Sequence, residues 1–129
     1  MLTENEKYFF AVTARAVQQL STCTEHRGAV LVRGNKILST GYNRKIIFGK
    51  DWEASAIFDV IFSARDVDMT GAVIFCSHFP DLEDIKLIII SGINHIYFFG
   101  EYPGLGDPVV DLLNSLNSNS ILLQISQLQ

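Results

Sequence analysis

The second half of the chain sets the strongest limit on the fold. Short apolar runs suited to buried strands, Ala72-Val73-Ile74-Phe75-Cys76 and His95-Ile96-Tyr97-Phe98-Phe99, alternate there with stretches of helical spacing. Pro80-Asp81 opens a helix through Leu82, Ile85, Leu87 and Ile88 that Gly92 closes. A loop over residues 102–108, a helix over 109–116 and a strand over 121–125 follow. Strands that alternate with helices lie parallel and are joined by right-handed crossovers, so this half demands a largely parallel sheet.

The first half adds a helix over residues 5–21, with apolar positions at Phe9, Phe10, Val12, Ala16, Val17 and Leu20. Residues 28–32 and 37–42 flank a turn at 33–36 and read as a β-hairpin. Asp51 stands where an N-cap belongs, ahead of an apolar stripe of Ala54, Ile57, Phe58, Ile61 and Phe62 that predicts a second helix to Ala64. The order is α-β-β-α-β-α-β-α-β. It predicts an α/β fold with a mixed five-stranded sheet and helices on both faces.

At 129 residues, the length fits one domain over 1–129. Apolar residues make up 48% of the chain and mean hydropathy is +0.23, which leaves apolar surface for a partner and predicts a homo-oligomer or a protein complex. Net charge is -4, and no Lys/Arg stripe marks a phosphate-backbone groove, which disfavours nucleic acid. No apolar run approaches the roughly 20 residues that a bilayer-spanning helix needs, and the N-terminus lacks a signal pattern. The expectation is a soluble cytoplasmic protein without a membrane partner. Cys23 and Cys76 are in no ligand-like spacing and read as buried free thiols.

Leu20-Ser21-Thr22-Cys23, Arg27-Gly28-Ala29-Val30-Leu31-Val32 and Lys36-Ile37-Leu38-Ser39-Thr40-Gly41-Tyr42-Asn43 resemble, in that order, the opening of deoxycytidylate deaminases. Asp51-Trp52-Glu53-Ala54-Ser55-Ala56-Ile57 looks like that family's His-Ala-Glu helix start, and Pro80-Asp81-Leu82-Glu83-Asp84 looks like its Pro-Cys-x-x-Cys helix start. Beyond Gly100 the match is in element type alone. The resemblance implies the three-layer α/β/α fold of the cytidine and deoxycytidylate (CMP/dCMP) deaminase superfamily.

Zinc deaminases hold one zinc through a histidine and two cysteines, activate water with it, and move protons through a glutamate that is not a ligand. Carried over by position, Glu53 is that proton shuttle, and Asp51, Asp81 and Asp84 stand at the three ligand positions. Spacing is kept while ligand chemistry is replaced. Three carboxylates make a hard, oxygen-only set, better matched to magnesium, manganese or calcium than to zinc. An anionic set also acidifies metal-bound water less. The expectation is therefore a degenerate site with no metal, with zinc or a hard divalent cation as the alternative.

The same aspartates have a structural reading, as acceptors for orphan N–H groups at two helix starts. Their repulsion with Glu53 would then be relieved by a cation, by protonation, or by Arg44, Lys45 or Lys50. Glu53 reads more readily as a first-turn helix residue than as a working acid/base. Asn43 matches the family asparagine that contacts substrate and equally reads as a turn residue. Trp52 replaces a small residue and would crowd the pocket. His78 lies three residues before Asp81 and offers a nitrogen to a rearranged metal site, although a strand-end histidine more often makes an ordinary hydrogen bond. His26 and His95 have no partner motif, and Arg27 is either a phosphate contact or a plain charge.

The leading reading is a catalytically silent deaminase-like protein that binds a nucleotide or protein partners. The competing one is a divergent dCMP/CMP-type nucleotide deaminase that uses an altered metal site. A third is a structural subunit docking through Ile46, Ile47, Phe48 and Trp52.

Overall fold

The computed structural model describes residues 2–46, 52–119, 121 and 123–129. Helix α1 (Glu4–Gln18) starts at Thr3, whose hydroxyl accepts from the Glu6 N–H at 3.1 Å while its own N–H donates to the Glu6 carboxylate at 2.8 Å. This reciprocal cap satisfies two orphan donors. Strands β1 (Gly28–Arg33) and β2 (Lys36–Tyr42) form the expected hairpin. A two-stranded ladder of β3 (Arg44–Lys45) and β4 (Glu53–Ala54) then precedes α2 (Ala56–Ser63). The rest is β5 (Val73–Cys76), α3 (Leu82–Ile90), β6 (His95–Phe98), α4 (Pro108–Ser118) and β7 (Gln124–Gln127).

The main sheet runs β2-β1-β5-β6-β7, with β1 antiparallel to both neighbours and β5, β6 and β7 parallel. Two-residue periodicity divides its side chains between two cores. Val30, Val32, Phe75 and Tyr97 pack against Phe10, Ala11 and Ala14 of α1. Ala29, Leu31, Ile74, Cys76, Ile96 and Phe98 face the opposite way, onto apolar side chains of α2, α3 and α4. The mixed five-stranded sheet with helices on both faces is thus as expected.

Two glycines fix how closely the helices approach. A Cβ on Gly28 would lie 2.6 Å from the Ala14 carbonyl oxygen of α1, and one on Gly41 would lie 2.5 Å from the Val60 nitrogen of α2. Only the absence of a side chain admits such contacts.

The sequence reading requires correction in two places. The second helix begins at Ala56 and is capped by Ser55, not Asp51, which lies outside the described residues. Ser55 has an extended backbone and its hydroxyl accepts from the Phe58 N–H at 2.9 Å, the geometry of a side-chain cap. Glu53, expected in the first helical turn, instead pairs with Lys45 across the β3–β4 ladder. The buried stripe is Ala56, Ile57, Val60 and Ile61, while Phe58 and Phe62 are exposed and stack on each other at 5.7 Å.

The last strand also lies later than residues 121–125, because α4 continues to Ser118 and the chain then turns back through an Ile121 N–H bond to the Leu116 carbonyl. Gln124 sets the strand register by donating to the Asn94 carbonyl at 2.9 Å.

Candidate functional site

Helices α2 and α3 present their N-termini to one another beside the ends of β1, β2 and β5. Asp81 caps α3, as the sequence suggested, by accepting from the Asp84 N–H at 2.9 Å. Asp84 does not cap. Its carboxyl is buried, 4% exposed, and reaches across to accept from the Ser55 hydroxyl at 2.7 Å. Ser55 therefore holds α2 with its lone pair and α3 with its proton. Sequence reasoning missed this residue, although a serine directly before an apolar run at helical spacing is itself a cap signal.

The second Asp84 oxygen is buried with no hydrogen-bond partner among the described residues. Burial, reinforced by the Asp81 carboxylate, pushes the Asp84 carboxyl up to about 6, against the Ser55 hydrogen bond that favours ionisation. The Cys76 thiol beneath the joint is wholly buried, and burial together with Asp84 pushes it far above the ordinary thiol range. Cys23, also a buried free thiol, is held up by burial, with Ser21 and Glu53 beside it.

Asn43 is buried and fully engaged. Its side-chain oxygen accepts from the Arg27 N–H at 2.9 Å, its amide donates to the Glu25 carbonyl at 2.6 Å, and Glu53 lies 3.4 Å from the same amide nitrogen. These bonds tie the Asn43 side chain to the backbone at residues 25 and 27. Arg27 pairs with Glu25 at 2.8 Å. Arg44 pairs with Asp59 at 3.0 Å and stacks on Tyr42, so it does not neutralise the site carboxylates, and Lys50 lies outside the described residues. A hollow of about 430 Å³ is walled by Thr24, Glu25, Arg27, Asn43, Glu53, Ser55 and Asp81. Three carboxylates line it against one guanidinium.

His78 places its Nδ1 3.5 Å from the Ser77 hydroxyl, and its buried Nε2 has no partner among the described residues. Burial, with Arg27 nearby, lowers its pKa to about 4. His95 lies elsewhere, stacked on Tyr97 at 4.0 Å with Nε2 2.8 Å from the Ser126 hydroxyl. Trp52 and Ile46 are exposed, while Ile47 and Phe48 fall outside the described residues.

The donor set at the joint is one hydroxyl and two carboxyls. The Ser55 hydroxyl is spent on one Asp84 oxygen and the Phe58 N–H, and Asp81 spends one oxygen on a backbone N–H. Among the described residues, no three His, Cys, Asp or Glu side chains are grouped so that they could hold a metal ion. That set does not fit a tetrahedral zinc held by imidazole and thiolate.

No protein-family model and no curated protein matches this sequence. Solved structures do match its architecture. The dCMP deaminase of cyanophage S-TIM5 superposes with a TM-score of 0.80 at 20% identity over 98% of this chain and 100% of that one. The fold is that of the deaminases. The same phage enzyme in complex with dCMP and dUMP matches equally well, with a TM-score of 0.80 at 19% identity over 99% of this chain and 100% of that one. The diaminohydroxyphosphoribosylaminopyrimidine deaminase/reductase of Thermotoga maritima matches at 0.69 with 22% identity, over 95% of this chain and 36% of that longer one. A tRNA:A34 deaminase structure matches at 0.63 with 17% identity over 95% of this chain and 96% of that one.

Proposed function

We propose that this protein is a deaminase-like domain without zinc-dependent turnover, and that it acts by binding a protein partner. The observation that carries this is the helix start of α2. The resemblance places the family's His-Ala-Glu motif at a helix start, and the helix here starts Ser55-Ala56-Ile57. On that register a hydroxyl stands at the histidine position, and the proton-shuttle position holds Ile57, which is fully buried in the apolar core. Asp51 and Glu53, the residues first carried over, precede the helix. Neither catalytic water activation nor proton transfer then has a side chain in its place.

A nucleotide is the weaker ligand class. The hollow beside the joint carries Glu25, Glu53 and Asp81 against Arg27 alone, which repels a phosphate, and the amide of Asn43 is already spent on the backbone. Exposed Trp52, Ile46, Phe58 and Phe62 instead supply aromatic and aliphatic surface of the kind found in protein interfaces.

One observation favours the divergent-enzyme reading: Glu53 lines the hollow together with Ser55 and Asp81. The two readings separate by incubating the protein with dCMP, CMP and cytidine in the presence of zinc, manganese or magnesium. We expect no deaminated product with any metal and no measurable calorimetric binding of dCMP. Turnover that Glu53→Ala abolishes would overturn the silent reading, and turnover that survives Glu53→Ala would point to a contaminant.

A further inference from the structure

The two edges of the main sheet are built differently. β2 carries Lys36 at its start, and its pairing with β1 shifts register between Leu31 and Val32; charge and bulges both discourage further strand addition. β7 has neither device. From Leu112 to Gln129 the chain has no charged residue, and β7 keeps an unbroken register with β6.

Gln124 and Leu128 donate their N–H groups inward, to the Asn94 and Phe98 carbonyls. Two-residue alternation therefore aims the N–H and C=O groups of Ile125 and Gln127 outward. No described residue pairs with that edge.

β7 also helps to wall a hollow on each face of the sheet. On the α1 side a groove of about 730 Å³ runs between α1 and β6–β7, over Tyr97 and Phe99 and past Leu128. On the α4 side a smaller hollow of about 230 Å³ is lined by Asn114, Asn117, Leu123 and Ile125 among others, with no charged residue in its lining. An uncharged strand suits that edge, and β7 is itself such a strand.

We propose that β7 pairs antiparallel with β7 of a second copy about a two-fold axis at Ser126, joining the two sheets into one. A strand placed against itself across a two-fold is antiparallel and self-complementary, so the contact closes at two copies. With the axis at Ser126, Ile125 faces the partner's Gln127, and these pairs exchange the outward N–H and C=O groups. Ser126 then meets its counterpart in the narrow pair, about 4.5 Å apart between Cα atoms. Strand pairing over so short a length is marginal alone. The exposed amides of Asn114 and Asn117 and the side chain of Ile125, which line one hollow beside the strand, supply the remaining contact. This surface is separate from the Trp52 and Ile46 region and does not rest on the catalytically silent reading.

Ser126→Cys tests the pairing directly, because Cys23 and Cys76 are buried and the introduced thiol is the accessible one. Cα separation in the narrow pair falls within disulfide range. Oxidised glutathione should link Ser126→Cys into covalent dimers and leave Phe62→Cys, on the exposed face of α2, unlinked. Gln127→Pro removes an outward N–H that no described residue accepts, together with the side-chain bond to the Gly100 carbonyl, whereas Gln127→Leu removes the side-chain bond alone; the circular dichroism spectrum should be kept in both, and light scattering should fall from the mass of two chains to that of one only for Gln127→Pro. A wild-type protein that is monomeric at all concentrations overturns the proposal. So does a dimer that Gln127→Pro leaves intact, or one that cross-links through Phe62→Cys instead.

Discussion

Two groups near the joint titrate in opposite senses, and replacing either should expose the other. The Asp84 carboxyl rises from 3.8 to about 6 on folding. A carboxyl with a raised folded pKa favours the fold while it is protonated. That contribution is complete below pH 4 and is lost as pH climbs through 6. At about 1.4 kcal/mol for each tenfold change in proton affinity, the loss is about 3 kcal/mol. The His78 imidazole falls from 6.5 to about 4 because it is buried. The unfolded chain takes up this proton first on acidification, so the His78 contribution is present above pH 6.5 and lost as pH falls to 4. Its upper size is also about 3 kcal/mol.

Over the window from pH 4 to 6.5 the two contributions nearly cancel, so urea unfolding followed by far-UV circular dichroism should give a shallow wild-type profile. Asp84→Asn removes the acid's contribution and should leave stability rising with pH by about 3 kcal/mol. His78→Gln should leave it falling by a similar amount. His95, whose pKa is lowered by burial and by Lys7, adds to the rising sense in every variant and does not alter the contrast. Parallel profiles for Asp84→Asn and His78→Gln would refute the argument, since they would show that neither group changes its proton affinity on folding.

The joint and the helix–sheet contacts give two further expectations. Ser55→Ala removes the cap on the Phe58 N–H and leaves both Asp84 oxygens without a partner among the described residues, and should cost about 2 to 4 kcal/mol in the same urea titration. Restoring the cap alone with Ser55→Asn should recover only part of that. Gly41→Ala forces a methyl to within 2.5 Å of the α2 backbone and should cost about 1 to 3 kcal/mol, visible as a lower thermal midpoint, whereas Gly104→Ala, which meets nothing within 4 Å, should be neutral.

The fold was legible because hydrophobic period and turn chemistry agree along most of the chain. Val73 to Cys76 and His95 to Phe98 are apolar runs of strand length, and Asp81 follows a proline directly ahead of helical spacing, so strand and cap fell where expected. The start of α2 was less legible because Asp51 and Ser55 are both good caps. An apolar residue every three to four positions can be drawn from Ala54 as readily as from Ala56. Only the pairing of Glu53 with Lys45, a contact between residues eight apart, decides between them. That choice moved the helix start from Asp51 to Ser55, and no local pattern could have shown that Ser55 would meet Asp84 across 29 positions.

The same geometry bears on how two converging helix starts in a deaminase fold are held together. Two positive helix ends directed at one point repel each other and leave orphan N–H groups, and a metal with anionic ligands is one way to satisfy both. Here Asp81 answers the N–H groups of α3, Ser55 answers those of α2, and the hydrogen bond from Ser55 to Asp84 ties the two ends. One oxygen of Asp84 remains unmatched among the described residues, however, so ionisation places a second negative charge beside Asp81 with a single described hydroxyl to receive it. The protonated joint is the relaxed one. Asp84→Asn, which keeps that position neutral, should therefore hold the joint relaxed from pH 5 to 7, where the wild-type joint ionises.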